Sequence, residues 1–381
     1  MRVYVASDFH IQDADQPWLF TPTKVAAFCA VAKEALDRGG ALLLAGDIFD
    51  LTGMQPPALG LADFFARAAP GVTIPLPSTR ILNERLRAAI DRFPDFRDAL
   101  KPLAASNRLW LMPGNHDCGI DGQLARIVVA NAIGVSPDVL RFEETYRVGD
   151  VLLAAHGHEF DPANSTSDGC SNAGSIITAC LYHAVMPALR ALGVSANVTA
   201  AIPCVRPEEN LVNGIQAYLG GRTQEFLLAF VNLLQDNGYF HGVADVRVWL
   251  ATHILSGLVS VDRVREALRD DTDVAAKARA AAGRVLDGLA FVPTGQSPPK
   301  VVVLGHTHEL DATPNYVNLG TWIDHVRGLG PTDLVAVDRT LPVLVIDGDA
   351  VSLHDVASIA ASGSVTTCHR LWQRGEDRIS R

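Results

Sequence analysis

KVVVLGHTHE, residues 300–309, is the stretch on which the reading of the chain turns. Val301, Val302, Val303 and Leu304 form a short, mostly β-branched run, the pattern of a strand covered on both faces. Gly305 ends the run and lets the backbone turn sharply. His306 and His308 follow at i, i+2, so in an extended loop both imidazoles leave the same side. The spacing predicts two metal-competent rings aimed at one point. Read alone it also fits two solvated loop histidines, because short His-x-His matches are common.

Four other strand ends release polar, metal-competent residues in the same way. Residues 2–7 alternate as a first strand and deliver Asp8 and His10. Thr21 and Pro22 then mark a helix start, with Thr as N-cap, and Gly39-Gly40 mark its stop. ALLLA, residues 41–45, is a second buried strand followed by Gly46-Asp47-Ile48-Phe49-Asp50. Asp47, directly after the strand, is placed to bridge two cations, and Asp50 reads as a supporting or loop-capping acid. Residues 51–106 are a long excursion with helical stretches near 58–69 and 79–93, assigned to the wall of the site. RLWLM, residues 108–112, is the third strand, closed by Gly114-Asn115-His116-Asp117. After a helix over 121–132, strands at 144–148 and 151–155 flank the turn Gly149-Asp150, and the second ends in His156-Gly157-His158.

Residues 161–299 read as a helical insertion. It opens with the turn-rich DPANSTSDG, and its helices are expected near 176–192, 223–235, 243–255 and 274–289. The run 171–189 is free of charge and carries Ile176, Ile177, Leu181, Val185 and Leu189 at helical spacings. That stripe is expected to serve either as an apolar wall over the site or as core among the insertion's own helices. Closing strands are expected at 316–319, 334–337, 341–346 and 351–356, with Asp347-Gly348 a hairpin turn. Residues 357–381 read as a tail.

The totals narrow the function classes. With 48% hydrophobic and 19% charged residues among 381, the chain has ample material for a core. A formal net charge of -10 argues against non-specific nucleic-acid binding. The six cysteines form no CxxC pair or framework spacing, so reduced thiols and a cytoplasmic location are expected. MRVYVASD enters a strand directly, without the pattern of a secretory signal. No stretch reads as a transmembrane segment. Peripheral membrane contact and the oligomeric state stay open.

Taken together the blocks DxH, GDxxD, GNHD, HGH and GHTH, in that order, resemble the calcineurin-like metallophosphoesterase superfamily over residues 1–160 and 300–356. The resemblance implies an α/β (α+β) chain with the four-layer metallophosphoesterase fold, a central β-sandwich flanked by helices, here carrying the insertion. It implies that Asp8, His10, Asp47 and His308 hold one divalent cation, and that Asp47, Asn115, His156 and His306 hold a second. A nitrogen and oxygen donor set favours Mn, Fe, Co or Zn. Two such ions about 3.5–4 Å apart can clamp a phosphoryl group and activate a water for attack. His116 is expected as the catalytic acid or charge stabiliser, with Asp117 orienting its ring. GDIFD, HGH, GHTH and the following YVNLGTW are also similar to the bacterial UDP-2,3-diacylglucosamine pyrophosphatase group. Two departures stand out: GNHD places His at 116 where that group carries Arg, and the insertion is longer than its lid. The expected activity is metal-dependent hydrolysis of a phosphodiester, pyrophosphate or phosphomonoester in a small or amphiphilic molecule. The alternatives are a pyrophosphatase of a nucleotide-lipid, a nuclease, which the acidic balance disfavours, and a non-catalytic metal-binding scaffold.

Overall fold

Alternation along the first two strands sorts their side chains into two cores. In β1 (Val3–Ala6), Val3 and Val5 face one way and Tyr4 and Ala6 the other, and β2 (Ala41–Ala45) repeats the division with Leu43 against Leu42 and Leu44. The computed structural model describes residues 1–14, 16–51, 64–65, 78–117, 119–161, 164–165, 173–206, 210–236, 274–290, 296–330, 334–356, 369–377 and 379. Among them β3 (Leu109–Met112), β4 (Arg141–Phe142), β5 (Thr145–Val148), β6 (Leu152–Ala155), β7 (Val301–Leu304), β8 (Leu310–Thr313) and β9 (Tyr316–Leu319) follow in chain order. Next come β10 (His325–Leu329), β11 (Leu334–Asp338), β12 (Pro342–Asp347), β13 (Ala350–Asp355) and β14 (His369–Gln373).

Two main sheets result, in the orders β14-β13-β12-β1-β2-β3-β4 and β5-β6-β7-β9-β8, and β10 pairs with β11 separately. The first four strands run parallel, as do β6, β7 and β9. Val3, Val5 and Leu43 of one sheet and Leu152, Val301, Val303 and Val317 of the other share one buried core, so the sheets face each other. On the outer face of the larger sheet, Tyr4, Leu42 and Leu44 pack with Phe28, Val31 and Ala35 of the helix Pro22–Asp37 and with Phe96 and Leu100 of the helix Pro94–Ala105. On the outer face of the smaller sheet, Leu153, Val302 and Leu304 pack with Ala278, Ala282 and Val285 of the helix Val274–Leu286. The molecule is therefore mixed α/β.

Several local expectations need correction. The stretch after residue 93 contains the helix Pro94–Ala105, whose start the paired Phe93-Pro94 concealed by ending the preceding helix Thr79–Arg92. Thr21 has the extended backbone of an N-cap, but its side chain makes no capping bond. The β12–β13 hairpin pairs Asp347 with Ala350, so Gly348-Asp349 forms the turn. The expected tail includes β14, an edge strand antiparallel to β13, because Leu371 and Trp372 are buried against the shared core. The charged and polar residues around that pair hid the pattern. Expected helices at 243–255 and, except for Phe64 and Phe65, at 58–69 lie outside the described residues.

Candidate metal centre

Five of the parallel strands end at one edge, and the loops that follow them hold the histidine and aspartate blocks. The backbone there is unusual. Asp8, His10, Asp47, His306 and His308 all have left-handed φ, between +47° and +67°, and among the described non-glycine residues Asn107 alone shares that region. Asp and His enter it more readily than most residues, yet each such residue still costs on the order of 1–3 kcal/mol. The cost is met by a network between loops. The amide of Asp8 donates to the Gly46 carbonyl, those of Phe9 and His10 to the Asp47 carbonyl, and that of Gly305 to the His156 carbonyl, at 2.8–3.1 Å. Phe9, between the two polar residues, turns the opposite way and packs on Trp322 at 4.8 Å and on Phe20 and Phe28 at 5.6 Å. The YVNLGTW block completes the clamp. Thr321 Oγ1 and the Trp322 amide donate to the Asp8 carbonyl, and Asn318 Nδ2 donates to that of Gly305.

Three motif glycines leave the room these side chains need. A methyl group at Gly114 would collide with the Asp47 carboxylate, at Gly305 with that of Asp8, and at Gly46 with the His156 ring. Gly46 also has φ +90°.

The two histidines of GHTH do not chelate a single point. Because both sit in left-handed backbone and not in an extended loop, their rings diverge into two groups that share Asp47. In the first group, Asp8, His10, Asp47 and His308 are all buried. His10 Nε2 lies 2.9 Å from His308 Nε2, which lies 3.4 Å from Asp8 Oδ1. Burial, together with neighbouring His116 and His308, pushes His10 down to about 3, and burial and Arg206 push His308 well below its ordinary value. Burial thus disfavours the charged form of both rings, and a neutral ring is the form that can bind a cation.

In the second group His156 donates Nδ1–H to the Ala45 carbonyl at 2.9 Å, which turns Nε2 toward Asp47 Oδ2 at 3.3 Å and Asn115 Oδ1 at 3.3 Å. His306 Nδ1 faces the same Asn115 oxygen at 2.9 Å. Burial disfavours a charged His156, but the Asp47 carboxylate outweighs it and pushes the ring up to about 10. The spot calls for positive charge, which a cation can supply in place of the proton. Asp47 Oδ1 accepts the His116 amide at 2.8 Å, whereas the buried Oδ2 makes no hydrogen bond of regular geometry and faces the His156 and His10 rings at 3.3 and 3.8 Å. That oxygen, between two sets of metal-competent donors with no thiolate among them, fits a divalent cation on either side.

His116 lies at the rim, its ring 4.7 Å from that of His10. Burial opposes its charge, but Asp47 and Asp50 prevail and push it up to about 9. The expectation that Asp117 orients this ring is corrected. Asp50 Oδ1 holds His116 Nδ1 at 3.0 Å, while Asp117 accepts the amides of Gly114 at 2.6 Å, Ile48 at 2.7 Å and Phe49 at 3.2 Å. Asp117 thus clasps the GDIFD and GNHD loops together. His158 stays out of the clustered groups, with Nδ1 3.7 Å from Glu159.

Other contacts at the centre come from residues outside the motif blocks. Gln12 Nε2 donates to Asp50 Oδ2 at 2.7 Å and to the Tyr182 hydroxyl at 3.0 Å. Arg206 Nη2 lies 2.9 Å from His308 Nδ1, and Asp161 Oδ2 lies 3.1 Å from His306 Nε2. Asp161 follows the HGH block by only three residues, a signal that its ordinary turn composition masked.

No family model matches the chain. The UDP-2,3-diacylglucosamine hydrolases of Bordetella parapertussis and Bordetella bronchiseptica are 30% identical to it over 158 residues, 42% of this chain and 46% of each relative. The chain thus spans about half the length of the curated relatives it matches. A solved cold-active protein-tyrosine phosphatase of a psychrophilic Shewanella aligns over 93% of this chain and 78% of its own at 12% identity, but with a TM-score of 0.25 the match does not bear on the fold. The buried Asp and His groups could hold metal ions.

Proposed function

We propose that the chain is a dinuclear metal-dependent phosphoric ester hydrolase of the calcineurin-like metallophosphoesterase superfamily, with the four-layer fold formed by residues 1–160 and 300–356. The observation that carries the reading is the buried Oδ2 of Asp47, which faces histidines of both groups without a regular hydrogen bond to either. Asp8, His10 and His308 would hold one cation, Asn115, His156 and His306 the other, and Asp47 both. Bound there, a pair of divalent cations supplies Lewis acidity to a phosphoryl group and acidifies a water. The chain's own part is to hold the donors rigidly. Asp47 also takes the His116 amide, which ties the catalytic loop to the bridging carboxylate. His116, oriented through Nδ1 by Asp50, presents its other ring nitrogen to the leaving oxygen and gives it a proton.

A nucleotide-lipid pyrophosphate is the second reading, favoured by the similarity to the two UDP-2,3-diacylglucosamine hydrolases. Hydrolysis of bis-p-nitrophenyl phosphate, p-nitrophenyl phosphate, UDP-sugars and UDP-2,3-diacylglucosamine by the Mn-loaded protein separates the readings. A diester or monoester preference supports the general phosphoesterase, and a selective kcat/KM for the acylated substrate supports the second. Failure on all four would refute both.

A further inference from the structure

Four side chains close a hydrogen-bonded ring at the second histidine group, and two of them come from the loop that opens the insertion. Asp161 Oδ2 meets His306 Nε2 at 3.1 Å and also accepts from Asn164 Nδ2 at 2.7 Å. Asn164 Oδ1 in turn accepts from Asn115 Nδ2 at 3.3 Å, and Asn115 Oδ1 lies 2.9 Å from His306 Nδ1. Asp161 and Asn164 are also tied through the backbone, since the amides of Asn164 and Ser165 donate to the Asp161 carbonyl at 2.9 and 2.8 Å. The side chains of Asp161 and His306 are both buried, at 7% and 8% exposure, so water does not readily replace this contact.

The donor and acceptor identities leave little freedom. An ionised carboxylate only accepts, so His306 must carry a proton on Nε2 whether or not Nδ1 carries one. Nδ1 is then the nitrogen whose lone pair is available for a cation. Asn164 acts likewise on the amide of Asn115. By taking the Nδ2–H, it turns Nδ2 away and Oδ1 inward, toward His306 and His156. Without Asp161, neutral His306 can adopt the other tautomer and donate Nδ1–H to Asn115 Oδ1, which consumes both ligand atoms at once.

We propose that Asp161 and Asn164 are positioning residues that build the second cation site, Asp161 by fixing the tautomer of His306 and Asn164 by fixing the amide of Asn115. This rests on the dinuclear reading above. It makes the start of the insertion part of the metal centre and leaves the first group, Asp8, His10 and His308, independent of it.

The test is Mn²⁺ titration of the metal-free protein, read by electron paramagnetic resonance and bound-metal analysis, for the parent, Asp161→Ala, Asp161→Asn and Asn164→Ala. The parent should fill to a spin-coupled pair. In Asp161→Ala and Asn164→Ala the first ion should bind with parental affinity and the second about 10- to 100-fold more weakly, the usual effect of losing a group that orients a ligand. At intermediate Mn²⁺ their spectra should keep the six-line signal of an isolated ion. Asp161→Asn should lose less than Asp161→Ala, because its amide oxygen can still accept from Nε2–H. Parental second-ion affinity in both alanine variants would overturn the proposal. Equal loss of both ions in all three variants would do so too, because it would mean a general structural role. A parent that binds one ion only would refute the dinuclear reading itself, and that result is visible before any variant is compared.

Discussion

The contact between Asp50 and His116 assigns separate tasks to three neighbouring carboxylates. Asp47 faces the two Asp and His groups, Asp50 holds the His116 ring, and Asp117 accepts three backbone amides. His116→Ala should keep bound metal but lower turnover by roughly 10²–10⁴-fold, the range for a positioned acid or base. Asp50→Asn should lower it by about 10- to 100-fold. If Asp50 acts through His116, the double variant should be no slower than His116→Ala, because groups that work as one unit are not additive. A multiplicative loss in steady-state kcat/KM would show that the two act separately. The residues that meet at this edge were legible because each lies in a loop that follows a short apolar strand. The choice between Asp50 and Asp117 was not, because left-handed residues at Asp47 and neighbouring loops redirect side chains in ways that spacing does not encode. Asp161 and Asn164 were hidden for another reason, since Asp and Asn are ordinary turn residues.

At the level of elements, the insertion's apolar stripe divides. Val185 and Leu189 are buried with Val198, Ile202, Phe226 and Leu233, and Ile323, Val326 and Leu329 from beyond β9 join the same core. Ile176, Ile177 and Leu181 are half-buried at its margin. A π-helical turn at Leu181–Val185 interrupts the run between the helices Ala173–Cys180 and Met186–Ala191. Such turns shift the side-chain register, and this one carries Tyr182, whose hydroxyl bonds Gln12 beside Asp50. A 3.6-residue period gave the helix but could not reveal the extra residue in that turn. If the insertion acts as a lid, Ile177→Ser with Leu181→Ser should raise KM for an acylated substrate. Hydrolysis of a small diester and the unfolding midpoint should stay near parental. A lowered midpoint with equal loss on both substrates would assign these two residues to the core as well.

Across the whole molecule, two sheets share a core and deliver five loops to one edge, where strained backbone is tolerated because neighbouring loops hydrogen-bond one another. Five left-handed Asp and His residues at about 1–3 kcal/mol each represent strain comparable with the net stability of a domain, so the loops must be held by the fold around them. The parallel strands β1, β2, β3, β6, β7 and β9 were readable from sequence because their apolar runs are short and sharply ended, whereas β4, Arg-Phe at a sheet edge, was not. β14 and the strand Leu310–Thr313 were not, since each lies at a sheet edge and mixes polar with apolar residues. The most direct measurement follows bound metal and bis-p-nitrophenyl phosphate hydrolysis together while chelated protein is titrated with Mn²⁺, for the parent and Asp47→Asn. Turnover should be absent at the start and rise to a plateau at about two ions per chain in the parent, and Asp47→Asn should retain less metal and stay inactive, as expected when one carboxylate serves two cations. Chelated protein that still turns over, or an Asp47→Asn variant with parental metal content and rate, would contradict the dinuclear centre.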